Sequence, residues 1–98
     1  MEEKIMHLLI TEDDMALAQG LQRALQEKNR QVLCCKNIQE TRQHLHQNQI
    51  DLLILDVNLP DGSGFDLLQE IRRTSDLPVI LLTANDLEMD IVSGLEQG

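Results

Sequence analysis

Short, almost continuous apolar runs alternate along this chain with stripes of apolar residues at helical spacing. Four such runs lie at residues 5–11, 31–36, 51–56 and 78–84. Strands that are apolar over their whole length are buried on both faces, as in a parallel sheet covered by helices on both sides. The pattern therefore predicts one α/β domain, residues 1–98, with the element order βαβαβαβα and an open, doubly wound parallel sheet.

Four helices are expected to connect and follow these runs. The first covers residues 15 to about 28 and buries one apolar stripe against the sheet. The members of this stripe are Leu17, Ala18, Leu21, Ala24 and Leu25. Asn37 and Glu40 form a capping box that predicts the start of the second helix, and the third helix covers 65–73. The last helix opens at Asn85, and its apolar residues at helical spacing are Leu87, Ile91, Val92 and Leu95.

Composition narrows the range of functions. Eight basic against seventeen acidic residues leave a net charge of −9, which disfavours binding to nucleic acid or to an anionic membrane. No apolar run approaches the roughly 20 residues of a membrane span, and the first four residues do not begin a secretory signal. We therefore expect a cytoplasmic protein. Adjacent Cys34 and Cys35 are expected to be reduced thiols, because neighbouring strand residues point to opposite faces.

Acidic residues lie at the ends of two of the predicted strands, and a hydroxyl residue lies at the end of another. Glu12 and Asp13 come directly after the first strand, Asp56 ends the third, and Thr83 ends the fourth. Because the carboxyl ends of parallel strands share one edge of the sheet, these four residues are expected to lie together. Three carboxylates in a partly desolvated cleft repel one another unless protons or a cation neutralise them. Oxygen ligands of this kind suit Mg²⁺.

Four segments together resemble the receiver domain of bacterial two-component response regulators. They are LLITEDD at 8–14, DLLILDVNLPDGSGF at 51–65, LTA at 82–84 and GLEQG at 94–98. The chain is most similar to regulators that carry a winged-helix DNA-binding domain. The resemblance implies a flavodoxin-like fold with strand order 2-1-3-4. It also implies control of transcription through a DNA-binding output domain that lies outside this sequence.

The resemblance assigns a role to each matching residue. Asp56 would be the nucleophile that accepts a phosphoryl group from a sensor histidine kinase. Asp13 would hold Mg²⁺ directly, Glu12 directly or through water, and Asn58 through its main-chain carbonyl, with Asp56 completing the metal site. Thr83 would donate its hydroxyl to a phosphoryl oxygen and act as the switch residue. Phosphoryl transfer needs an in-line nucleophile and a cation beside the transferring oxygens, which agrees with these roles.

The resemblance also implies elements after Gly98, namely a fifth strand, a fifth helix and a Lys that pairs with the phosphoryl group. None of them is in the sequence, so we expect a receiver domain that is incomplete at its C-terminus. Strand four, Val79–Thr83, would then be an exposed apolar edge. Such an edge favours homodimerisation, because two identical edges can pair symmetrically.

Other functions compete with a phosphorylation cycle. The main alternative is a receiver-like protein-interaction module without one; the absent Lys favours this alternative, whereas the acids and Thr83 disfavour it. A haloacid-dehalogenase-like phosphatase needs a second Asp two residues after its nucleophile, where this chain has Asn58. A P-loop nucleotide hydrolase is rejected because the chain contains no GxxxxGK[ST] motif. A receiver would catalyse its own aspartyl phosphorylation but act chiefly as a signalling switch.

Overall fold

A five-stranded sheet forms the centre of the protein in the computed structural model, which describes residues 4–82 and 89–92. The strands in chain order are β1 (Met6–Thr11), β2 (Arg30–Cys35), β3 (Leu52–Asp56), β4 (Asn58–Leu59), β5 (Gly62–Ser63), β6 (Val79–Leu82) and β7 (Met89–Val92). The helices are α1 (Met15–Leu25), α2 (Ile38–Gln47) and α3 (Gly64–Arg72). Strands β4 and β5 form a separate two-stranded hairpin, and the other strands make the central sheet.

The central sheet has the order β2-β1-β3-β6-β7, and its first four strands are parallel. The predicted order 2-1-3-4 is confirmed, with β6 as the predicted fourth strand. Successive side chains enter two different apolar layers, as expected of strands covered on both faces. Leu9, Leu53 and Val79 contribute to the layer that includes residues of α2 and α3, whereas Ile10 and Ile54 contribute to the layer beside α1.

Helix α1 is shorter than predicted and buries a narrower apolar face. It ends at Leu25. Ala18 is fully buried, and Leu21 and Leu25 are half-buried, whereas Leu17 and Ala24 are exposed. The predicted burial of Leu17 and Ala24 is therefore wrong. Both residues lie on one flank of the stripe, so a helix that presents Ala18 to the sheet turns them towards solvent.

Helices α2 and α3 agree with the sequence prediction. The Asn37 side chain accepts the N–H of Glu40 at 2.8 Å, and the Glu40 carboxylate accepts the N–H of Lys36 at 3.0 Å. The first bond is the one that the capping box predicts, whereas the Glu40 side chain binds the N–H of Lys36, one residue before the N-cap, instead of that of Asn37. In α3, Leu67 and Ile71 are buried and Leu68 is half-buried. None of the helices within residues 4–82 and 89–92 has the length and apolar character needed to cross a membrane.

Strand β7 is a correction to the sequence prediction. The helical spacing of Ile91 and Val92 predicts a last helix, but residues 89–92 form a strand antiparallel to β6, with Ile91 opposite Ile80. The apolar edge of β6 outweighs the helical spacing here, because an unpaired edge leaves backbone N–H and C=O groups without partners. The expected exposed edge at strand four is therefore wrong as well, since β6 pairs with β3 on one side and with β7 on the other.

Candidate metal centre

The carboxyl ends of β1 and β3 bring acidic residues from distant parts of the sequence to one edge of the sheet. Thr11 lies opposite Leu55 in the parallel pairing of these strands, so Glu12, the residue after β1, and Asp56, the last residue of β3, lie at the same end of the sheet. On the far side of β3, the N–H of Val57 donates to the carbonyl of Leu82 at 3.2 Å. Hydrogen bonds of the sheet thus fix the direction in which the chain leaves β3.

Glu12, Asp13 and Asp56 form a compact cluster of carboxylates. One oxygen from each of the three side chains lies within 4.8 Å of the other two. Glu12 and Asp56 are buried, with 4% and 8% of their surfaces exposed, whereas Asp13 is exposed. The prediction that these three acids lie together is confirmed. The cluster therefore has two anchored members and one member that solvent reaches.

The electrostatics of the cluster favour a bound cation or a proton. Burial raises the pKa of Glu12 from its usual 4.5 to about 7, and the nearby charge of Asp56 contributes to the increase. The N–H of Asp14, which donates to Glu12 Oε2 at 3.0 Å, acts in the opposite direction. Oxygen donors with an excess of negative charge are the ligands that Mg²⁺ prefers. The residues present therefore fit a hard divalent cation.

The loop after Asp56 is a tight hairpin that returns the chain to the site. Asn58 is exposed and pairs with Ser63 across the β4–β5 hairpin, and its N–H lies 3.4 Å from Asp56 Oδ1. The N–H of Gly64 donates to the carbonyl of Val57 at 2.7 Å, which closes the loop at the start of α3. The hairpin therefore returns the backbone to a position beside Asp56.

Thr83, which the sequence predicts at the same edge, lies outside the described residues. Leu82, the residue before it, ends β6 directly opposite Asp56. The sequence prediction missed one residue of the loop, Asp61, whose carboxylate accepts backbone N–H groups of α2. Because those partners are 22 and 23 residues away in the chain, no local pattern could have indicated this contact.

The family of the chain follows from comparison with known proteins. Residues 8–98 match the model of the response regulator receiver domain. The chain belongs to this family. As in solved receiver structures, it has the flavodoxin-like arrangement of a parallel sheet with covering helices.

Among its sequence relatives are named regulators of transcription. The chain is 40% identical over 91 residues to the transcriptional regulatory protein AfsQ1 of Streptomyces coelicolor, and the match covers 93% of this chain and 40% of the relative. It is 34% identical over 92 residues to the KDP operon transcriptional regulatory protein KdpE of Escherichia coli, and that match covers 94% of this chain and 41% of KdpE. The chain thus spans about two fifths of the length of these curated relatives.

One similar protein has been solved both with a metal complex and with a kinase. The response regulator TrrA of Thermotoga maritima, in complex with Mg²⁺-BeF, has a TM-score of 0.76 and 30% identity, and the match covers 84% of this chain and 72% of TrrA. A second structure contains the histidine kinase ThkA in complex with TrrA, with the same TM-score and identity. Both observations concern TrrA.

Proposed function

We propose that this chain is a phosphoacceptor receiver in which Asp56 takes a phosphoryl group from a histidine kinase with the help of Mg²⁺. The observation that carries the proposal is the cluster of Glu12, Asp13 and Asp56, whose oxygens lie within 4.8 Å of one another at the carboxyl edge of a receiver fold. Asp56 sits at the end of a central strand and is followed by a shaped loop, which is the arrangement expected of a fixed nucleophile.

Each residue of the cluster has a distinct task in this proposal. A carboxylate oxygen of Asp56 attacks the phosphorus of the kinase phosphohistidine. The P–N bond breaks, and its electron pair returns to the imidazole nitrogen, which takes up a proton. Glu12, Asp13 and Asp56, with the main-chain carbonyl of Asn58, would hold the metal. When bound, Mg²⁺ would neutralise negative charge on the transferring oxygens.

The different exposure of the three acids supports different roles in metal binding, with two fixed ligands and one ligand that solvent reaches. Glu12 and Asp56 are buried and stay in place with the strand ends, whereas Asp13 is exposed and can meet a hydrated ion from solvent. Mg²⁺ keeps several of its waters when it binds to few protein oxygens. Thr83 would complete the site by donating its hydroxyl to a phosphoryl oxygen.

The proposed partners follow from the relatives. The structure of TrrA with the kinase ThkA supports a sensor histidine kinase as phosphoryl donor. The transcriptional regulators AfsQ1 and KdpE, of which the chain spans about two fifths, support a DNA-binding output domain outside this sequence. Homodimerisation stays a prediction, but its expected cause, an unpaired β6 edge, is not present in the described residues, where β7 occupies that edge.

The nucleophile is tested by labelling the chain with acetyl phosphate in the presence of Mg²⁺. We expect one labile acyl phosphate in wild type, none in Asp56→Asn, and full labelling in the control Asp51→Asn. Asp51 precedes the same strand at its opposite end, where it accepts the N–H of His7 at 2.8 Å. Label retained in Asp56→Asn would contradict the assignment. A wild-type chain that takes no label would favour an interaction module.

The metal site is tested by titration calorimetry of the unphosphorylated chain with Mg²⁺. We expect Asp13→Ala to weaken binding by at least about tenfold, which is the effect that even the loss of an outer-shell partner produces. The control is Asp76→Ala, an exposed acid in the connection between α3 and β6. Equal affinities of Asp13→Ala and wild type for Mg²⁺ would rule out the proposed ligand set.

A further inference from the structure

The turn of the β4–β5 hairpin is tied to the start of α2 by a single side chain. Asp61 Oδ1 accepts the N–H of Ile38 at 2.8 Å, and Oδ2 accepts the N–H of Gln39 at 3.1 Å. These bonds lower the pKa of Asp61 below its usual 3.8, and the charge of Arg42 makes a smaller contribution in the same direction. The carboxylate is therefore ionised at neutral pH and binds both amides at once.

The N-terminus of α2 is thereby capped by two different parts of the chain. The N–H of Glu40 is bound by its own N-cap residue, Asn37, at 2.8 Å. The N–H groups of Ile38 and Gln39 are bound from outside the helix, by Asp61. A helix needs partners for its first N–H groups, and Asp61 provides two of them although it belongs to the loop of the metal site.

A second contact fixes the hairpin in the same place. Gly62 has a φ of +152°, and a Cβ at this position would lie 2.9 Å from Cδ1 of the buried Ile38. The hairpin backbone therefore packs directly on the first residue of α2. Asn58, in contrast, is exposed, so burial of its own side chain does not hold it.

A main-chain ligand depends on whatever fixes the loop that carries it. A carboxylate ligand can adjust through its side-chain torsions, but a carbonyl moves only with its backbone. Here the loop joins the strand end at Asp56 to α2 through Asp61, and Asn58 lies between these two anchors. The two-residue strands β4 and β5 are themselves too short to form a stable hairpin alone.

We propose that Asp61 is a positioning residue for the metal site. It clamps the hairpin to the amides of Ile38 and Gln39 and so keeps the carbonyl of Asn58 beside the acidic cluster. This inference rests on the proposed function, since it concerns the same metal site. By reciprocity, a metal bound at the cluster restrains the hairpin and, through Asp61, the first turn of α2.

The clamp is tested by comparing Asp61→Ala with Asn37→Ala. Both variants remove a cap from the same end of α2, but only the first releases the hairpin. Titration calorimetry of the unphosphorylated chain should show Mg²⁺ affinity reduced about tenfold in Asp61→Ala, as for lost outer-shell partners, and changed by less than about twofold in Asn37→Ala. Asp61→Asn should give an intermediate affinity, because its one carbonyl oxygen replaces only one of the two acceptors.

Amide hydrogen exchange provides a readout that does not depend on phosphorylation. Mg²⁺ should slow exchange at Ile38 and Gln39 in wild type and in Asn37→Ala, and should leave it unchanged in Asp61→Ala. If Asp61→Ala and Asn37→Ala lost Mg²⁺ affinity equally, Asp61 would be a helix cap and the positioning role would be wrong.

The outcomes also separate this inference from the proposed function. If wild type binds Mg²⁺ and Asp13→Ala weakens binding, but Asp61→Ala does not, only the clamp is overturned. If wild type binds no Mg²⁺, the metal site is overturned and the positioning role with it. Asp61 is exposed, so its replacement by Ala is expected to leave the fold intact.

Discussion

Gly64, the first residue of α3, lies directly against the backbone of Asp56 and Val57. A Cβ at this position would overlap the carbonyl oxygen of Asp56 and would lie 3.0 Å from the Cα of Val57. Because these neighbours are backbone atoms at the end of β3, they cannot give way as a flexible side chain would. The absence of a side chain at residue 64 is therefore what allows α3 to begin directly beside Asp56.

We expect Gly64→Ala to lower the free energy of unfolding by about 1–3 kcal/mol, because the added carbon forces the backbone apart. The control is Gly20→Ala in α1, where a Cβ meets nothing within 4 Å and where Ala should raise the free energy of unfolding by about 0.5–1 kcal/mol. Urea unfolding measures both. Equal stability of the two variants would show that the backbone at Asp56 adjusts freely.

Helix α2 is held to the rest of the molecule by contacts of different kinds. On its buried side, Thr41 Oγ1 lies 2.7 Å from Thr11 Oγ1 and 3.3 Å from Cys35 Sγ, which joins α2 to β1 and β2. On its exposed side, the guanidinium of Arg42 donates two hydrogen bonds to Glu70 of α3, at 2.7 and 2.9 Å. The buried contacts are shielded from water, whereas the ion pair is not.

These two kinds of contact should differ in their contribution to stability. Thr41→Val keeps the shape of the side chain but removes a buried hydroxyl, and we expect it to cost about 1–3 kcal/mol because polar partners lose a hydrogen bond. Arg42→Ala breaks an exposed pair and should cost less than about 1 kcal/mol. Thermal and urea unfolding test the order, and a larger loss for Arg42→Ala would reverse the explanation given for α2.

At the scale of the whole molecule, the acidic cluster opposes folding at neutral pH when no cation neutralises it. The chain carries a net charge of −9, and the fold places three of its acids within 4.8 Å at one edge. Since burial raises the pKa of Glu12 to about 7, the folded state binds this proton more tightly than the unfolded state does. A cation bound at the cluster, as proposed above, would replace that proton and remove the penalty.

The metal-free chain should therefore become less stable as pH rises. Between 4.5, the usual pKa of Glu12, and about 7, its pKa in the folded state, the folded state holds more protons, so the free energy of unfolding falls with increasing pH. The loss can reach about 3 kcal/mol for a shift of this size. The loss is measured by urea unfolding in EDTA at pH values of about 5 and about 7.5, because most of the titration of Glu12 falls between them. Glu12→Gln should reduce the slope, and an unchanged slope would contradict the burial of a titrating Glu12.

The sequence by itself determined the parts of this protein that depend on neighbours in the chain. Continuous apolar runs such as 52–55 are typical of strands buried on both faces, and residues that follow parallel strands meet at one edge. The amino-acid pattern alone therefore places Glu12, Asp13 and Asp56 together. The N-cap of α2 at Asn37 is equally evident from the sequence, because its bond to the N–H of Glu40 spans three residues.

Tertiary structure decided the features whose cause lies far away in the chain. The helical spacing of Ile91 and Val92 gave way to a strand because β6 provided an edge to pair with. Leu17 became exposed because the sheet selected the face of α1 centred on Ala18. Asp61 found its amide partners 22 and 23 residues away. Periodicity reports which residues can share a face, but only packing decides which face is covered and by what.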